Sequence, residues 1–257
     1  MTAVAVREPG TPAVFGRAAG AEWLRLRTVR TTWWCLLAAA VTIAGIGVIM
    51  AYDADDVYAT GELPPATAAG EFGVMLGQFA LLVLVLLAVT QEYASGAITP
   101  TLQWTPRRGV LLAARLAVPV LAATAAGVLL ALVADVAAWR IADLPFEPGD
   151  VAGSLGRVAA VLLAGGALAV GVGLLLRSTA GALATVFLLQ LVLPFLLPAF
   201  GVQWMADLGE LLPGTGAIWT LLGEPDMTAG KATALLAGWA ALAVGLGGAS
   251  LLRRDAG

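Results

Sequence analysis

The sequence predicts an all-α, polytopic membrane protein of six transmembrane helices, preceded by an amphipathic helix in the membrane interface, with both termini cytoplasmic. Three observations predict this. The 257 residues are 60% hydrophobic and only 12% charged, with a mean hydropathy of +0.91, whereas soluble domains carry about 25% charged residues. Six apolar runs are each long enough to cross a hydrocarbon core of about 30 Å. The basic residues also fall on alternate connections between those runs, as the positive-inside rule requires.

Residues 1–20 are rich in Ala, Gly and Pro and contain no apolar run. They are expected to form a disordered cytoplasmic tail. No apolar core followed by a cleavage site is evident there, so the tail is expected to be kept. The next stretch, 21–32, reads AEWLRLRTVRTT. Trp23, Leu24, Leu26 and Val29 share one helical face, and Arg25, Arg27 and Arg30 lie mostly off it. This pattern suits a helix in the interface with its arginines near anionic headgroups. The same arginines also serve as topology signals for the first span.

The predicted spans are 33–51, 72–90, 110–139, 158–176, 180–198 and 233–252. The third is long enough to tilt or to continue beyond the lipid. Only Arg177, Ser178 and Thr179 separate the fourth from the fifth, which demands a tight hairpin. The segment 199–227, which follows Pro198, is too interrupted by Pro213 and Pro225 for a span and too apolar for a free loop. Short re-entrant helices satisfying their backbone against the protein are one reading; an extracellular loop anchored by Trp204 and Trp219 at the interface is the other.

Eleven of the fourteen basic residues lie before span one, between spans two and three or, as Arg115, just inside the start of span three, between four and five, or after six. The opposite connections hold Arg140, Arg157 and Lys231 with most of the acids. Both termini are therefore expected inside, in agreement with an even number of spans.

The chain has no His and one Cys, Cys35, which is expected to be a small buried apolar residue. Imidazole bases, His-ligated metals and internal disulfides are thereby excluded. The sequence contains no GxxxxGK[ST], HExxH or nucleophile elbow. No catalytic, cofactor-binding or metal-binding residue is predicted, and no nucleic-acid partner.

One carboxylate and two carboxamides fall well within the apolar runs. Asp135, near the outer end of its span, either pairs with Arg140 or reaches water there. Gln78 and Gln190 either hydrogen-bond between helices or line a substrate path. Small faces at Ala167-x3-Gly171 and Ala241-x3-Gly245-x3-Ala249 permit close helix packing.

The stretch 91–115, QEYASGAITPTLQWTPRRGVLLAAR, is too polar for lipid and too short for a domain. Glu92, Tyr93 and Gly96 are followed by Thr101-Leu102, then by Pro106-Arg107-Arg108, then by Arg115. This series resembles the loop after the second span in permeases of the ABC type-2 transporter family. That loop usually shows an acid–aromatic pair, Gly-Thr, Thr-Leu, a Pro-Arg pair and a Lys. Here Ala97 replaces the usual Thr and Arg115 stands where Lys is common. The six-span plan, the amphipathic start, the broken segment before the last span and the terminal Leu-Leu-Arg-Arg-Asp extend the resemblance over nearly everything after Gly20.

The resemblance implies that 21–257 is one permease domain in the cytoplasmic membrane, and that 91–108 is a coupling helix for a separate ABC ATPase subunit. ATP and Mg would be bound by that partner, not by this chain, and two permease subunits, as a homo- or heterodimer, would form the path. It further implies alternating access and export, with hydrophobic drugs, peptides or lipids as substrates. Glu92, Tyr93, Gly96, Thr101, Pro106, Arg107 and Arg108 would carry the coupling, with Pro198, Trp204, Pro213 and Trp219 around an outer gate. Glu92 is expected to pair with an arginine of the interfacial helix, Arg25 or Arg27. Two other classes remain open from the residues alone: a non-transporting immunity or scaffold protein, and an ion-driven secondary transporter, which would want acids near mid-membrane.

Overall fold

The computed structural model describes residues 10–57, 64–94, 108–223 and 227–253. Among them every regular element is a helix. The elements in order are α1 (Thr11–Thr28), α2 (Arg30–Val57), α3 (Thr67–Ala94), α4 (Arg108–Ala142), α5 (Pro148–Leu176), α6 (Thr179–Ala199), α7 (Gln203–Gly209), α8 (Pro213–Leu222) and α9 (Ala229–Arg253). Six of them, α2, α3, α4, α5, α6 and α9, are long and apolar enough to cross a membrane. All six predicted spans fall within these helices, which continue past the apolar runs because backbone hydrogen bonding does not stop where hydropathy does.

α1 begins at Thr11, well inside the stretch expected to be disordered. Pro12 supplies the helical φ at the first turn, where its missing N–H is no loss, and the alanines that follow favour helix. The helix ends at Val29, which turns extended at φ −83° and ψ 123°. The chain then enters α2, and the indole Nε1 of Trp33 donates to the Arg27 carbonyl at 3.1 Å across the bend.

α3 and α5 are the most buried spans; α2 and α6 expose most of their surface. Such exposure, with Trp34, Val41 and Tyr52 each more than 60% open, suits helices solvated by lipid rather than water. Close approach depends on small residues. A Cβ at Gly171 of α5 would lie 2.2 Å from the Ala243 backbone of α9, and one at Gly247 would lie 2.3 Å from the Gly171 carbonyl. The face that α9 presents is thus Ala243 and Gly247, not the expected Ala241, Gly245 and Ala249. A Cβ at Gly245 would meet nothing within 4 Å.

The α5–α6 hairpin is tight, as expected. Arg177 takes the left-handed conformation at φ 52° and its N–H bonds to the Gly173 carbonyl. Ser178 caps α6 by accepting from the Gly181 N–H. Halfway along α6 the helix loosens into a π turn at Leu188–Val192. Pro194 lacks the N–H that the Gln190 carbonyl would otherwise receive, which accounts for the local defect.

The predicted broken segment is two short helices. α7 is largely exposed, whereas Pro213, Gly214, Thr215, Gly216 and Ala217 at the start of α8 are buried. A Cβ at Gly214 would come 2.2 Å from the Gln190 carbonyl oxygen. Only a glycine lets α8 sit that close to the π turn.

Candidate functional site: a buried charge ring

Antiparallel spans collect the helix ends into two faces. At one face α1, the end of α3 and the start of α4 meet around Glu22, Arg25, Glu92 and Arg115. Arg25 Nη2 donates to Glu22 at 2.5 Å, and its Nη1 donates to Glu92 Oε1. Arg115 Nε donates to Glu22 Oε1 at 3.3 Å, and its Nη2 donates to Glu92 Oε2. The four groups close a ring in which each charge touches two of opposite sign. Arg25 also donates to the Ala88 carbonyl of α3.

The ring is largely buried: Arg115 has no exposed surface and Glu22 is 6% exposed, while Arg25 and Glu92 keep part of their side chains exposed. Burial pushes the Glu22 carboxyl above its ordinary range, against the pull of the Arg25 and Arg115 guanidiniums; the Glu92 carboxylate adds to the upward push. Buried ion pairs are weak as stabilisers, since desolvation offsets attraction, but removing one partner strands a charge at a cost of about 3–5 kcal/mol. The ring therefore specifies how α1 docks on α3 and α4 more than it strengthens the fold.

Arginines tie the neighbouring helices to the same face. Arg108, the first residue of α4, donates to the Leu252 carbonyl at 3.3 Å and to that of Leu251 at 3.5 Å. Arg177 donates to the Ser250 carbonyl at 3.2 Å. These carbonyls belong to the last turn of α9, whose acceptors lack intrahelical donors and whose dipole favours cations. The Arg177 guanidinium also lies 5.4 Å from the centre of the Tyr93 ring, within cation–π range.

The expected pairing of Glu92 with α1 is present, through Arg25. One expectation about α1 needs correction. Arg25 points into the protein rather than toward headgroups, whereas Trp23 and Leu24, 50% and 62% exposed, are open to lipid as an interfacial helix requires. The inward face is Glu22, Arg25 and Leu26, because two guanidinium–carboxylate contacts outweigh the placement of one Trp and one Leu that lipid accepts equally well. Arg27 and Arg30 remain exposed. Of the proposed coupling residues, Glu92, Tyr93 and Arg108 lie at this face, while Gly96, Thr101, Pro106 and Arg107 lie outside the described residues.

The remaining candidates do not converge on one site. Gln78 donates to Met75 of its own helix at 3.0 Å, not to a neighbour. Gln190 sits in the π turn with its amide nitrogen against Gly165 of α5. Asp135 is fully buried and accepts from the Gly70 N–H of α3 at 2.8 Å. It neither reaches water nor pairs with Arg140, which stacks on Trp139 at 4.2 Å. Pro198 borders a cavity of about 390 Å³ between α6, α7 and α8. Pro213 opens α8, Trp204 is 64% exposed, and Trp219 is half-buried.

Glu22 and the structural role of Arg115 were missed by sequence reasoning. The available signal was Glu22 itself, an acid on the arginine-rich side, one turn before Arg25 and so on the same helical face. No known family model matches the chain, and no curated protein is significantly similar to it.

Proposed function

We propose that this chain is the membrane-spanning permease subunit of an ATP-driven ABC exporter, acting in the cytoplasmic membrane with both termini inside. It would work as one half of a dimer, with a separate ATPase subunit binding ATP and Mg. The observation that carries this reading is the ring of Glu22, Arg25, Glu92 and Arg115. It locks α1 to the two helices that flank the 95–107 segment, whose sequence resembles a coupling helix. A push on that segment would reach α1, α3 and α4 as one body, and α9 through Arg108. ATP biases such a switch only if the partner dimer binds this face unequally in its two states.

The test is co-expression with a candidate ABC ATPase subunit, followed by purification and reconstitution into vesicles. The expected results are an ATPase that copurifies and transport that stops when its Walker lysine is changed. Vesicles that transport without any nucleotide-hydrolysing partner refute the reading. So does labelling of a cysteine at position 108, in a Cys35→Ser background, from outside the cell.

One observation favours a second reading, an ion-driven transporter: Asp135 is fully buried and its second carboxylate oxygen has no hydrogen-bond partner among the described residues. On that reading Asp135→Asn abolishes transport whether or not the ATPase is present.

A further inference from the structure

Beneath α1 a groove of about 800 Å³ runs between α1, α2, α3 and α4. Its walls are apolar and include Leu36 of α2, Leu84 of α3, and Val118, Ala125 and Leu129 of α4. Its mouth carries Trp23, Arg27 and Trp33. The indole of Trp33 is held there by its bond to the Arg27 carbonyl. Arg25 is consumed by the charge ring, whereas the exposed Arg27 guanidinium faces no carboxylate among the described residues.

The depth of the groove is informative. From Val118 to Leu129 an α-helix rises about 16 Å. That is about half of a 30 Å hydrocarbon core, hence one leaflet. Tryptophans at the mouth match the interfacial depth of headgroups, and a guanidinium fork suits phosphate oxygens.

We propose that this groove binds one anionic phospholipid, with an acyl chain between α2 and α4 and the phosphate on Arg27. Leu26 both lines the groove and lies next to Arg25 in the chain. The lipid therefore braces the same helix that the charge ring clamps. The site depends on membrane embedding and not on the transport reading.

The test is native mass spectrometry of the full-length protein in mild detergent, titrated with phosphatidylglycerol or with phosphatidylcholine of identical chains. The wild type should retain one phosphatidylglycerol about fivefold more tightly than phosphatidylcholine, the preference one arginine near a headgroup supplies. Arg27→Gln should abolish that preference, and Arg140→Gln, at the opposite face, should leave it intact. Ala125→Phe fills the groove from an exposed position and should weaken both lipids about tenfold or more; Leu121→Trp, likewise exposed and lining the groove, repeats the test if the first variant fails to fold. Headgroup preference that survives Arg27→Gln, both lipids bound as in the wild type by a folded groove-filled variant, or equal retention of the two headgroups overturns the proposal. Displacement of the lipid by inorganic phosphate alone also overturns it, because the acyl chain would then contribute nothing.

Discussion

Arg115 lies fully buried against Glu92, on the neighbouring helix and on the far side of a polar connection. The pair is half of a ring completed by Glu22 and Arg25, and that closure decides how the ring responds to change.

Glu92→Gln leaves both Arg25 and Arg115 short of a partner and should cost about 3–5 kcal/mol, read from melting in detergent. The double variant Arg25→Gln/Glu92→Gln keeps the Glu22–Arg115 contact, so its loss should fall short of the sum by about 0.5–3 kcal/mol. Reversing both charges, Arg25→Glu/Glu92→Arg, should not rescue the fold. It sets a second carboxylate against Glu22 and a second guanidinium against Arg115. Full rescue by that swap would mean that the four groups act as two separate pairs.

The Glu22 carboxyl sits above its ordinary value of 4.5 because it is buried. The folded state therefore holds this proton to higher pH than the unfolded chain does. Stability contributed through Glu22 is complete below that ordinary value and declines as pH rises through the native one. The melting temperature of the wild type minus that of Glu22→Gln should thus be largest near pH 4.5 and shrink as the pH is raised above it. A difference that grows with pH contradicts this account.

Gly171 touches the α9 backbone, whereas Gly245 faces open space. Gly171→Leu should lower stability by at least the 1–3 kcal/mol typical of overpacking. Gly245→Leu should leave the melting temperature of the isolated chain nearly unchanged. Equal effects at the two positions would show that α5 and α9 do not pack through Gly171.

If the ring transmits the stroke of a partner ATPase, its geometry matters more than its charge. Arg115→Lys keeps the charge but cannot reach two carboxylates as a planar fork does. Copurification of the ATPase should persist while substrate moved per ATP hydrolysed falls several-fold. A parallel loss of hydrolysis and transport, with their ratio unchanged, would assign Arg115 a purely structural part.

Much of this architecture was legible in one dimension. Hydropathy locates α2, α3, α4, α5, α6 and α9, because a backbone in lipid must satisfy its own hydrogen bonds and a helix of about 20 apolar residues is the simplest way to do so. The tight turn at Arg177 and Ser178 followed from the shortness of the connection, and a Glu92 contact with α1 from charge and position.

Which side of each helix faces inward was a different matter. Lipid and a protein core accept Trp23, Leu24 and Leu26 alike, so hydrophobic pattern cannot orient α1, and only the packed structure shows Glu22 and Arg25 turned inward. The same ambiguity hid the choice of Gly247 over Gly245 in α9. Sequence alone determined the class of solvent, the number of crossings and the asymmetry of charge, all of which depend on composition along the chain. Tertiary structure alone decided that Arg115 joins Glu22 to Glu92, because a buried charge is tolerated only where distant parts of the chain supply its partners.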